Sequence, residues 1–168
     1  MQKVIIIRGV TASGKSTIAK HYRNFKNKTI WLKIDNFKDF FDTLDSEIRV
    51  FIHGAANTSL EYFLKEGFSV VMEGVFQDPD HVQQAVDIIK KYDIPYKVFQ
   101  TKVSLKTLQE RDRVREGVPE GCRKPLGDEE IAKIFAVLEE NPYPNAIFLD
   151  TENQSIDECI TFIDKQFA

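Results

Sequence analysis

Apolar residues gather into five short runs along this chain, at Val4–Ile7, Ile30–Ile34, Phe68–Met72, Tyr96–Phe99 and Ala146–Leu149. Each has the length of a strand. The first and third are nearly continuous in β-branched or large apolar side chains, as expected of strands covered on both faces of a parallel sheet. Between the runs the spacing turns helical. Val82, Ala85, Val86 and Ile89 recur at one-face intervals behind the start signal Asp78-Pro79. Ile131, Ile134, Phe135 and Leu138 do so behind Gly127-Asp128, and Ile156, Cys159, Ile160 and Ile163 behind Ser155. Ser155 and Glu158 have the spacing of a capping box, in which each side chain satisfies the other's backbone donor. A longer pattern runs from Leu44 to Leu64, and a charged one from Ser104 to Glu116. Strands alternating with helices imply crossover connections and a doubly wound α/β sheet. Periodicity alone leaves the strand order open.

No repeat, low-complexity tract or linker interrupts the 168 residues, so the chain reads as a single domain spanning 1–168. Apolar residues make up 42% and charged residues 29%, the balance of a globular protein. No apolar run approaches the roughly 20 residues of a membrane span. The start of the chain lacks the pattern of a signal peptide. Cys122 and Cys159 match neither a metal spacing nor a disulfide framework, and a cytoplasmic location is expected. A net charge of −3 argues against affinity built on neutralising a nucleic-acid backbone, although it leaves room for a local basic pocket.

The chemistry enters with Gly9-Val10-Thr11-Ala12-Ser13-Gly14-Lys15-Ser16, a complete G-x-x-x-x-G-K-S phosphate loop. It follows the first strand and opens the helical run that begins at Thr17. Small residues let successive N–H groups turn inward around an anion, and the helix adds its positive N-terminal end. Lys15 is expected to reach the β- and γ-phosphates of ATP, and the Ser16 hydroxyl to hold Mg²⁺.

Ligands of open parallel sheets lie beyond the carboxyl ends of the strands. Asp35 closes Trp31-Leu32-Lys33-Ile34-Asp35, and Glu73 follows Val70-Val71-Met72. A carboxylate there suits a base that accepts the proton of an attacking hydroxyl, or a group that orients the metal. The competing reading makes Asp35 a helix cap and Glu73 a turn residue. Arg111 and Arg115 share a helical face ahead of Gly117, Pro119 and Gly121, the composition of a closing lid over about 111–126. Their alternative is a solvated helix paired internally with Glu110, Asp112 and Glu116. Arg123 and Lys124 extend the basic segment without a defined role. His53 and Trp31 read as packed side chains.

These residues resemble those of small P-loop kinases related to the nucleoside monophosphate kinases. The likeness is to the branch containing zeta toxins, polynucleotide kinases and chloramphenicol phosphotransferase-like enzymes. It is carried by Gly9–Ser16, Ile34-Asp35-Asn36-Phe37-Lys38, Gly67–Gly74, Arg111-x-x-x-Arg115 and Leu149-Asp150-Thr151 ahead of Ser155. The resemblance implies strand order 2-3-1-4-5, Asp35 as base, and Lys38 or Glu73 at the acceptor. It also implies Arg111 and Arg115 as lid, and adenine near Thr151–Ser155. The expected activity is transfer of the γ-phosphate of ATP·Mg²⁺ to a hydroxyl of a small-molecule acceptor. A 5′-hydroxyl polynucleotide kinase and a nucleotide-gated ATPase without transfer are the alternatives. Lys38 stands where polynucleotide kinases more often carry arginine, which disfavours nucleic acid.

Overall fold

The computed structural model describes residues 1–42, 45–115 and 124–168. Five parallel strands form one sheet: β1 (Val4–Arg8), β2 (Thr29–Lys33), β3 (Ser69–Gly74), β4 (Tyr96–Lys102) and β5 (Ile147–Asp150). Their order, β2-β3-β1-β4-β5, is the one the resemblance implies. Helices α1 (Lys15–Phe25), α2 (Ser46–Lys65), α3 (Pro79–Lys90), α4 (Leu105–Arg113), α5 (Asp128–Glu140) and α6 (Ile156–Lys165) surround it.

Strand alternation sorts the core into two layers. Val4, Ile6, Val70 and Met72 bury against α2 and α3, together with Ile52, Ala56, Val82 and Val86. Ile5, Ile7 and Val71 point the other way, against Ile18 and Ala19 of α1 and Cys159 and Ile163 of α6. The apolar runs are continuous because β1 and β3 have no solvent face. A third cluster joins Val10 of the phosphate loop to Leu108 of α4 and to Ile131, Ile134 and Leu138 of α5. The base of the expected lid is thereby packed against the loop it would cover.

The boundaries shift where backbone pairing overrides hydrophobicity. β1 runs one residue past its apolar stretch to Arg8, which is buried and donates to Phe76 O, Gln100 Oε1 and Asn141 O. Three acceptors offset the desolvation of the guanidinium and tie β1 to the end of α5. β4 likewise continues to Lys102. β2 stops at Lys33, because Ile34 already opens a 3-10 helix, Ile34–Phe40. Asp35 therefore does not close the strand but sits in the first turn of that helix, whose cap position falls on Lys33. Glu73 lies within β3 rather than beyond it. The charged helix ends at Arg113, so Arg115 follows it instead of sharing its last turn. Arg123, Cys122 and half of the expected lid, residues 116–123, lie outside the described residues.

Candidate active site

The phosphate loop is held open by contacts that allow no extra atoms. A Cβ on Gly9 would lie 1.9 Å from Thr101 Oγ1, so only glycine fits against β4. Gly14 has φ 90°, a left-handed conformation, and caps α1 without a side-chain hydrogen bond. The first N–H groups of α1 are thus left to a ligand, and their partial positive charge favours an anion. Thr101 Oγ1 approaches Ser13 Oγ at 2.9 Å, and Thr151 Oγ1 donates to Ser13 O at 2.7 Å. These contacts fix the loop from β4 and from the turn after β5.

Lys15 is 6% exposed and donates to Val10 O at 3.0 Å, within its own loop. Desolvation lowers its pKa, opposed by the charges of Glu73 and Asp35. Ser16 Oγ donates to Glu73 Oε1 at 2.8 Å, and Glu73 is 1% exposed. A hydroxyl and a carboxylate, both hard oxygen donors, meet beside the phosphate loop, so this pair fits Mg²⁺ and would hold it there. Among the described residues no group of three His, Cys, Asp or Glu side chains forms an all-protein metal site.

On the β2 side, Asp35 pairs with Lys38 at 2.5 Å. Burial pushes its carboxyl up, but the charge and hydrogen bond of Lys38, with Lys15 and Lys33, hold it below the ordinary value of 3.8. Asp35 is an anion at neutral pH and lies within electrostatic reach of the loop lysine. His53 of α2, half-buried, stacks on His81 of α3 with centroids 3.8 Å apart, and its Nδ1 has no hydrogen-bond partner among the described residues.

On the opposite side, Arg111 and Arg115 line the same cavity as Lys15, Ser16 and Thr151, a space of about 660 Å³. Arg111 Nη2 donates to Thr151 O at 2.9 Å. Arg115 pairs with Asp112 at 3.2 Å, so part of the internal pairing expected of a solvated helix is present alongside the cleft placement. Arg113 turns away and pairs with Asp128. Asp112 is 1% exposed and also accepts from Leu126 N at 2.8 Å and Gly127 N at 2.9 Å. It pins both ends of the segment between α4 and α5. The sequence offers little sign of this beyond an acidic residue between two arginines, because its partners come from across the loop.

The fold and loop define a P-loop nucleotide-binding protein of the small-kinase type, in agreement with the sequence resemblance. A family model described as an AAA domain matches residues 4–140, most of the chain, and the chain belongs to that family. No curated protein matches in sequence. Among solved structures, the chain is similar to the tunicamycin resistance protein of Deinococcus radiodurans. That match has TM-score 0.72 and 14% identity, covering 100% of this chain and 96% of the other. It is also similar to a gluconokinase from Sinorhizobium meliloti 1021, with TM-score 0.67 and 14% identity over 98% and 95% of the two chains. A chain of the Pnkp1/Rnl/Hen1 RNA repair complex matches with TM-score 0.64 and 20% identity, over 83% of this chain and 44% of that one. At such identities the likeness is one of fold. No helix among the described residues is long and apolar enough to cross a membrane.

Proposed function

We propose that the protein is a cytoplasmic single-domain kinase that transfers the γ-phosphate of ATP to a hydroxyl of a small-molecule acceptor. The observation that carries this reading is the placement of the Asp35 carboxylate at the carboxyl edge of the sheet, within electrostatic reach of Lys15. A protein that only sensed nucleotide would need no such acceptor-side base. Residues Gly9 to Thr17 bind the triphosphate, with Lys15 on the β- and γ-phosphates. Ser16 and Glu73 hold Mg²⁺, which supplies charge neutralisation when bound. The acceptor hydroxyl lies between Asp35 and the loop. Its oxygen forms the new P–O bond, its proton passes to Asp35, and the bond to the bridging oxygen breaks with its electron pair remaining on ADP. Lys38 and Glu73 border the acceptor, and Arg111 and Arg115 neutralise charge on the transferring group from the lid over about 111–126. The gluconokinase and tunicamycin resistance likenesses support a small acceptor, and the RNA repair likeness makes an oligonucleotide 5′-hydroxyl the alternative outcome.

The test is ADP release and product mass across a panel of polyols, sugar acids, nucleosides and 5′-hydroxyl oligonucleotides. Lys15→Ala is expected to abolish ATP binding or turnover. Asp35→Asn is expected to keep ATP affinity while transfer falls by about 10²- to 10⁴-fold. Transfer at the wild-type rate in Asp35→Asn would refute the assignment of the base, and ADP release without any phosphorylated product would refute the kinase.

A further inference from the structure

Lys33 ends β2 and is only 8% exposed. Trp31, two residues earlier, packs in the layer beneath α1 and α6, so strand alternation sends the Lys33 side chain out on that face as well. The register places Lys33 beside Glu73, and Glu73 beside Ile7, the last residue of β1 but one. Glu73 and Ile7 lie on the same face, since Val71 and Ile5 do. A row of Lys33, Glu73 and Ile7 thus crosses the carboxyl end of the sheet beneath the N-terminus of α1, where Glu73 accepts from Ser16.

Within this row Glu73 is engaged by Ser16, and in the 3-10 helix beyond it Asp35 is engaged by Lys38. Among the described residues the Lys33 side chain makes no hydrogen bond or ion pair, and its Nζ is not one of the fully buried unpartnered atoms, so the ammonium stays accessible to solvent or a ligand. Its charge acts on both Lys15 and Asp35, so it lies near the loop lysine and the acceptor-side carboxylate. Ammonium groups held this close together favour an anion among them. Here Lys15, Lys33 and Lys38 outnumber the carboxylates Asp35 and Glu73. An anion would suit that excess of positive charge, and a nucleotide bound at the loop would bring its terminal phosphate toward this edge of the sheet.

We propose that Lys33 is a catalytic residue that grips the terminal phosphoryl group from the acceptor side, opposite Lys15. This deepens the proposed kinase reading and rests on nucleotide binding at the loop. Lys33 donates hydrogen bonds to a non-bridging oxygen and transfers no proton, which still passes from the acceptor to Asp35. Charge moving onto those oxygens during transfer would be met by a preplaced cation rather than by water.

Because a γ-phosphate contact exists for a triphosphate and not for ADP, the discriminating measurement is their relative affinity. Calorimetric titrations with Mg²⁺ would compare ADP and β,γ-methylene-ATP on the wild type, Lys33→Met, Lys33→Gln and Lys33→Arg. The expected result is about a tenfold loss for the triphosphate in the Met and Gln variants. ADP affinity should change less than about twofold, and Lys33→Arg should retain most of the triphosphate affinity. Equal losses for both nucleotides in both neutral variants, or no loss for either, would overturn the role of Lys33. Failure of the wild type to bind either nucleotide would instead overturn the phosphate-loop reading on which it depends.

Discussion

At the scale of single residues, the Asp35–Lys38 pair decides how the proposed base behaves with pH. Desolvation pushes the Asp35 carboxyl up, while Lys38, through its charge and its 2.5 Å contact, pulls it below the ordinary carboxylate value. The base is therefore ionised throughout the physiological range, and its strength comes from position rather than from a raised pKa. Removing the lysine leaves the desolvation in place. In Lys38→Met the acidic limb of the pH–rate profile is expected to move to higher pH, because protonation of Asp35 then begins sooner as pH falls. A limb at the same pH in the variant and the wild type would show that Asp35 does not control it. Gly9 is legible as glycine from the motif alone, but the reason for it, Thr101 at van der Waals overlap with any Cβ, belongs to another strand.

Among elements, one buried carboxylate clamps the described ends of the connection from α4 to α5. Asp112 receives two backbone N–H groups from Leu126 and Gly127 and one guanidinium N–H from Arg115. Asp112→Ala leaves those donors without their acceptor and Arg115 without its counter-charge. The expected cost is about 3–5 kcal/mol of unfolding free energy, the range for removing one partner of a buried charged network. Asp112→Asn keeps the shape and one acceptor oxygen, so it should fold. Its kcat should fall further than its ATP KM rises, since Arg115 loses its anchor but not its own charge. Denaturant unfolding and steady-state kinetics check the two parts. A stability loss below about 1 kcal/mol in Asp112→Ala would mean that water replaces the carboxylate and that the two ends of the segment are not clamped. At the other end of the same helix, Ser104 and Thr107 are both held by Glu152, so α4 is tied to the turn after β5 that also fixes Ser13.

Across the whole molecule, one pH-sensitive contribution to folding lies where α2 meets α3. Burial, with the neighbouring charge of His81, drops His53 from 6.5 to about 4, although Asp78 and Asp35 pull the other way. The unfolded chain takes up this proton near pH 6.5 and the folded chain only near 4. The contribution of His53 is therefore fully present above 6.5 and is lost as pH falls through that window. With allowance for solvent at a half-buried site, the loss is on the order of 1–2 kcal/mol. His53→Phe keeps a ring against His81 and Phe76 but cannot titrate. Unfolding free energies measured across the same window should fall less in the variant than in the wild type. Parallel curves would show that the imidazole is solvated and contributes nothing.

What the sequence determined by itself was whatever depends on neighbours along the chain. The alternation of apolar runs fixed a doubly wound parallel sheet, since strands without a polar face must be covered twice. The spacing from Gly9 to Ser16 fixed the phosphate loop, because a backbone nest and the start of a helix are contiguous structures. Resemblance supplied the strand order, which periodicity could not. Tertiary structure decided the rest. Ile34 turns into a 3-10 helix and swings Asp35 off the end of β2 to meet Lys38. Glu73 is drawn into β3 and reaches Ser16 across 57 positions of sequence. Asp112 looked like a solvated partner for arginines, and its burial depends on a chain segment returning to it 14 and 15 residues later. Lys33 had no local mark at all. Its setting comes from parallel register, which aligns residues far apart in sequence at one edge of the sheet and which no local pattern encodes.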